Sequence, residues 1–224
     1  RLKKKTAEGA AGLLSAAGRA EAMGHAWTSC CHHRAHLSFR DKTINLAIGA
    51  MLPLSSIGKE GATEEENLAQ LQSCRQKCSD MNENKYREAV EGKWKVGEEM
   101  FPRPNGAGAE QEDCGLIRTL VHRPLSEECG LPLVLWAHGG GMTIGSCEES
   151  YGADLFAQIY AQESCPKFCW ASVEYRLAPE AKFPKAMDDF VHAYIALQDP
   201  ALADKYGYDP TRIAVAGASA GALV

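Results

Sequence analysis

From residue 116 onward the apolar positions follow two alternating patterns. One is a short, nearly unbroken run: Leu116-Ile-Arg-Thr-Leu-Val-His122, Leu133-Val-Leu-Trp-Ala137, Phe168-Cys-Trp-Ala-Ser-Val173 and Ile213-Ala-Val-Ala216. Runs of this length predict strands, and the last reads as one buried on both faces. The other pattern repeats every three or four residues. Residues 151–162 place Leu155, Phe156 and Ile159 on one side, and residues 184–198 turn Phe190, Val191, Tyr194 and Ile195 inward. Both predict helices, the second with a proline near its start. Strands alternating with helices predict an α/β domain with a mostly parallel sheet covered on both faces.

The pattern differs upstream. Thr63-Glu-Glu-Glu66 predicts a helix start, with Thr63 as N-cap and Glu66 as its reciprocal partner. Leu68, Leu71, Cys74, Cys78 and Met81 then recur at helical spacing, as a packing face does. Residues 43–58 carry no charge but are interrupted by Pro53 and two serines. They are too short and too broken to span a bilayer, and fit a helix over an apolar cleft or on a membrane surface. Residues 101–113, rich in turn formers, read as a linker. The expected division is an N-terminal segment 1–112, largely helical or disordered, followed by the α/β domain 113–224.

Charge and cysteine usage narrow the function classes. The chain of 224 residues has a net charge of −5, which argues against nucleic acid as the main partner. Residues 1–40 carry seven Lys/Arg and two Asp/Glu, a composition shared by transit peptides and basic disordered tails. Nine cysteines are scattered without a disulfide framework, and no secretory signal is visible. They read as mostly reduced thiols of a cytoplasmic protein, with an organelle as the alternative. Cys74 and Cys78 are expected to face the core. Cys30-Cys-His-His33 with His36 suggests a metal cluster. Adjacent ligands chelate one zinc poorly, and the second half of such a site is missing, so no metal is expected.

Two stretches carry chemistry. Gly217-Ala-Ser-Ala-Gly221 follows its strand at once and fits the G-x-S-x-G nucleophile elbow, in which a sharp strand-to-helix turn presents the serine. His138-Gly-Gly-Gly141 also follows a strand directly. Consecutive glycines let backbone approach a substrate and aim N–H groups at a developing oxyanion. A phosphate-binding turn is the alternative, but G-x-G-x-x-G and a P-loop lysine are both missing. His138 reads as a structural residue of the loop.

Between these stretches lie Tyr175-Arg-Leu-Ala-Pro-Glu180, Phe183-Pro-Lys-Ala-Met-Asp-Asp189 and Asp209-Pro-Thr-Arg-Ile213. In this order the motifs resemble the hormone-sensitive-lipase family of α/β-hydrolases, also called the bacterial family IV esterases, over residues 113–224. The resemblance implies an α/β-hydrolase three-layer sandwich and a carboxylic-ester hydrolase working through an acyl-enzyme on Ser219, without cofactor or metal. It implies an oxyanion hole built from Gly140, Gly141 and the amide of Ala220, with Gly139 ranked behind them. It makes 175–180 a structural loop beneath the site, in which Arg176 and Glu180 pair or bond to backbone. Asp188 or Asp189 would be structural as well.

The elbow departs from the family's usual form at Ala218 and Ala222, and Met142 stands where an aromatic often follows the glycines. In this fold the triad runs Ser, Asp or Glu, then His along the chain. All seven histidines precede Ser219. The sequence is therefore expected to be a fragment of a longer product, cut after the elbow, inactive and aggregation-prone alone. The expected partner is a small-molecule ester, with no nucleic acid, no integral membrane segment and no oligomeric state assigned. The alternative is a non-catalytic small-ligand receptor on the same fold, of the gibberellin-receptor type.

Overall fold

The computed structural model describes residues 61–103 and 115–224. The 30–36 cluster, the 43–58 stretch and the basic N-terminus lie outside these residues. The chain divides into two compact units, Arg1–Gln70 and Leu71–Val224. Thr63, in the first, opens helix α1 (Glu64–Val90), which continues into the second, with the expected reciprocal box. The Thr63 amide donates to Glu66 at 2.8 Å, and the Glu66 amide donates to the Thr63 hydroxyl at 3.2 Å.

The second unit is built on five strands: β1 (Trp94–Pro102), β2 (Leu116–Pro124), β3 (Leu131–Ala137), β4 (Cys169–Val173) and β5 (Tyr208–Gly217). Helix α2 (Ser150–Tyr160) precedes β4, and α3 (Lys185–Ala196) and α4 (Pro200–Tyr206) precede β5. The spatial order is β1-β2-β4-β3-β5. The sheet is mixed rather than mostly parallel. β3 runs parallel to β4 and β5, whereas β2 runs antiparallel to both β1 and β4. Strand β1 lies in the segment read from sequence as N-terminal, and its Phe101 and Pro102 lie where a linker was expected. It pairs with β2 along its whole length, from Trp94↔Pro124 to Pro102↔Leu116.

Side-chain alternation along the central strands separates two cores. Cys169, Ala171 and Val173 of β4 join Ile117, Val121, Leu133 and Leu135 on the face packed by Phe190, Ala193 and Leu197. Trp170 points the other way, with Leu120 and Trp136, into a cluster closed by Tyr86, Val90, Ala153 and Phe156. The second unit therefore has three layers, α1 and α2 on one side of the sheet and α3 and α4 on the other. Cys74 and Cys78 are buried, as expected.

Two packing expectations hold only in part. On α3 Phe190 is buried and Tyr194 packs against the core as expected, but Val191 is 49 % and Ile195 57 % exposed, and Asp189 and Ala193 are buried instead. Asp189, which the apolar pattern did not place inside, is fixed there by Arg103 and Arg176. Strand β5 forms as predicted, but it is not buried on both faces. Val215 is 61 % exposed, and among the described residues β5 is an edge strand bonded to β3 alone. Helix α4 follows its local signals closely. Asp199 caps it by accepting from the Ala201 amide at 2.9 Å, Pro200 begins it, and Gly207 ends it in the left-handed region (φ 72°).

Candidate functional site

The two chemistry-bearing stretches leave the carboxyl ends of adjacent parallel strands, paired at Ala137↔Gly217. Clefts at such strand ends are where open α/β sheets bind ligands. β5 stops at Gly217, and Ser219 begins a short 3₁₀ turn, Ser219–Leu223. Ser219 has φ 53°, a left-handed conformation that costs a non-glycine residue energy and is tolerated where the surroundings dictate it. They do so here. The Ala218 amide donates to the Ala137 carbonyl at 3.2 Å, and the Gly221 amide donates to the Ala218 carbonyl at 2.8 Å. A methyl on Gly217 would collide with the Gly221 carbonyl, and one on Gly221 with the carbonyls of Ala137 and His138. The turn can lie on the end of β3 only because both positions lack a side chain. Ser219 is exposed and Ala220 is buried. The Ala220 amide stands in the first turn of the 3₁₀ segment, where N–H groups have no partner within the helix.

The glycine loop is held through its carbonyls. Gly139 O meets the Nδ1 of His138 at 2.7 Å. Gly140 O accepts the amides of Thr143 and Ile144, each at 3.1 Å, and the Thr143 hydroxyl at 3.3 Å. A trans peptide sets its N–H opposite its C=O. The amides of Gly140 and Gly141 therefore point away from these carbonyl partners. Gly140 (φ 113°) and Gly141 (φ 64°) both occupy the positive-φ region that favours glycine. A Cβ built on Gly139 would sit 3.6 Å from the Ser219 Cβ, so the loop and the serine are in close apposition. The same position would be 3.7 Å from Oε1 of Glu149, whose other oxygen accepts the Trp136 indole N–H at 3.3 Å.

His138 is fully buried, and burial holds its imidazole pKa below the ordinary histidine value, so the ring stays neutral. Tyr175 stacks on it and donates its hydroxyl to the His138 carbonyl at 2.6 Å. Among the described residues no histidine hydrogen-bonds Ser219. His122 lies beneath Tyr86, and His138 turns Nδ1 to Gly139.

Arg176 and Glu180 were expected to pair or bond to backbone; they do not pair with each other, and Arg176 reaches the Lys185 carbonyl at 3.4 Å. Arg176 forks onto Asp189, at 2.9 Å from each carboxylate oxygen, and its amide donates to the same group. Asp189 is fully buried and also accepts from Arg103 at 2.8 Å. Glu180 pairs instead with Arg75 of α1 at 2.7 Å. Arg75 and Arg103 escaped the sequence reading because their partners lie 105 and 86 residues away. Among the described residues, no group of three His, Cys, Asp or Glu side chains could hold a metal ion, and no helix is long and apolar enough to cross a membrane.

Residues 134–224 match a family model described as the alpha/beta hydrolase fold. Over 105 residues the chain is 34 % identical to mouse neutral cholesterol ester hydrolase 1 and 40 % identical to the carboxylesterase NlhH of Mycobacterium tuberculosis. These alignments cover 47 % of this chain, and 25 % and 31 % of those proteins. Among solved structures, a hyperthermophilic esterase from the archaeon Pyrobaculum calidifontis superposes with a TM-score of 0.58 at 29 % identity, over 83 % of this chain and 50 % of that one. A bacterial heroin esterase gives 0.55 at 30 % identity, over 68 % and 44 %. The chain thus spans about a quarter to a third of these curated relatives and about half of these solved chains.

Proposed function

The chain carries an α/β-hydrolase domain of the esterase family that includes the hormone-sensitive-lipase type, and on that premise we propose that the protein is a serine-dependent carboxylic-ester hydrolase. The observation that carries this reading is the apposition of Ser219, at φ 53° on its elbow, to a glycine loop in which the Gly139 and Gly140 carbonyls are engaged elsewhere.

In the proposed mechanism the Ser219 hydroxyl attacks the ester carbonyl carbon as a general base takes its proton. The carbonyl oxygen becomes an oxyanion and accepts the amides of Gly140, Gly141 and Ala220. Such donors stabilise charge that exists only in the transition state, and each contributes about 10²–10³ in rate. The C–O bond to the alcohol then breaks, and the alcohol leaves with the proton that the base returns. Water attacks the acyl-serine by the same route and restores the hydroxyl. In α/β-hydrolases generally the base is a histidine that follows the serine in chain order, oriented by an acidic residue. His138 is fully buried beneath Tyr175 and, among the described residues, makes no hydrogen bond to Ser219, so it is assigned the loop and not the proton transfer.

The test is hydrolysis of p-nitrophenyl butyrate by the full-length protein and by its Ser219→Ala variant. Turnover in the first and none in the second supports the reading. Equal turnover in both contradicts it.

A further inference from the structure

Helix α1 reaches the glycine loop through the side chain of Arg75. The Arg75 Nε donates to the Thr143 carbonyl at 2.7 Å, and one terminal nitrogen donates to the Ala178 carbonyl at 2.7 Å. Both terminal nitrogens grip Glu180, at 2.7 and 2.9 Å. The fork onto the carboxylate is bidentate, a geometry that a guanidinium supplies and an ammonium does not. This pairing is the main reason the Glu180 carboxyl titrates below the usual carboxylate range.

The carbonyls it holds matter more than the ion pair. Thr143 is the residue whose amide and hydroxyl hold Gly140 O, the bond that turns the Gly141 amide outward. Ala178 donates its own amide to Met142 O at 2.7 Å. One guanidinium therefore joins the glycine turn at 140–144 to the loop at 175–180, with contacts on both sides of Met142. Elsewhere the same helix is fixed by Asn82, which accepts the Ser150 hydroxyl at 2.7 Å, and by Tyr86, 2.6 Å from His122. Those anchors hold the helix, whereas Arg75 holds the loop.

We propose that Arg75 is a positioning residue for acyl transfer: its grip on the Thr143 and Ala178 carbonyls sets the turn that aims the Gly140 and Gly141 amides. The inference rests on the hydrolase reading above. It assigns the N-terminal helix a task in the chemistry that no motif in the sequence reveals. A misplacement of about 1 Å in such donors can cost about 10²-fold, so loosening the grip falls on the transition state more than on substrate binding.

The experiment uses the full-length protein and p-nitrophenyl butyrate. Serine-dependent turnover of the unaltered protein is established first; its absence overturns the hydrolase reading and is recognised as such before any Arg75 variant is measured. Arg75→Lys is then expected to lower kcat about 10- to 100-fold with KM changed less than about threefold. Its affinity for a trifluoromethyl ketone, which forms an oxyanion on the serine, is expected to fall by the same factor as kcat/KM. Asn82→Ala loosens the same helix away from the loop, and is expected to keep kcat within about twofold even as Tm drops. Should Arg75→Lys not fold, Glu180→Gln weakens the same grip from its exposed end and is expected to show the same coupling of kcat to ketone affinity. A lowered Tm with unchanged kcat in the Arg75 or Glu180 variant overturns the proposal. So does a kcat loss in Asn82→Ala as large as that in Arg75→Lys.

Discussion

The phenol of Tyr175 donates to the carbonyl of His138 at 2.6 Å while the two rings stack 4.1 Å apart. One tyrosine, 37 residues downstream, thus fixes both the ring and the backbone at the entrance to the glycine loop. Tyr175→Phe keeps the stack and deletes the donor, leaving a buried carbonyl unpaired. The expected cost is about 1–3 kcal/mol of stability by urea denaturation. Turnover is expected to fall as well, since the freed peptide precedes the oxyanion donors.

The glycines of the site are expected to respond unequally. A side chain on Gly140 meets the Ile144 carbonyl at once, whereas one on Gly141 finds nothing nearer than the Thr143 hydroxyl at 3.8 Å. Gly140→Val and Gly141→Val should each lower kcat by about 10²–10³ through the donors. Both should also lower Tm, because both glycines sit at positive φ, and Gly140→Val should lower it more, since its side chain also meets the Ile144 carbonyl. Steady-state kinetics beside thermal unfolding separates the two effects.

Asp189 is fully buried between Arg103 and Arg176. Asp189→Ala strands two guanidiniums beside a space they cannot leave cheaply, and is expected to destabilise by about 3–5 kcal/mol. Chemical denaturation of the purified variant measures this; a loss under about 1 kcal/mol would mean that the arginines find water.

His122 titrates far below its ordinary range. It is fully buried, stacked on Trp170, and bonded to Tyr86 at 2.6 Å. Burial lowers its pKa to about 3. The unfolded chain takes up a proton near the ordinary value of about 6.5, and the folded chain does not. The contribution is therefore complete above pH 6.5 and is lost as pH falls toward 3. Between pH 7.5 and 5 this group should remove about 2 kcal/mol of stability. His122→Gln should flatten that part of the profile.

The parts of the fold legible in the sequence were those fixed by local chemistry. Apolar runs marked β2, β3, β4 and β5, the Thr63 box marked the start of α1, and glycine spacing marked the elbow and the loop. What stayed hidden depends on distant partners. Strand β1 has mostly exposed positions and gains its order from pairing with β2. The burial of Asp189 on α3 depends on Arg103 and Arg176, which the apolar pattern of that helix cannot report. Arg75 read as one more polar residue beside a packing stripe, because spacing along a helix does not say which carbonyls await it across the fold.

The central claim is that Ser219 is a nucleophile served by the glycine loop. The most direct measurement is intact-mass analysis of the full-length protein after treatment with a fluorophosphonate, followed by peptide mapping of the adduct. The account predicts one stoichiometric phosphonyl group on Ser219, no adduct in Ser219→Ala, and labelling slowed at least about 10²-fold in Gly140→Val. An adduct on another residue, or equal labelling of the Ser219→Ala protein, would contradict it.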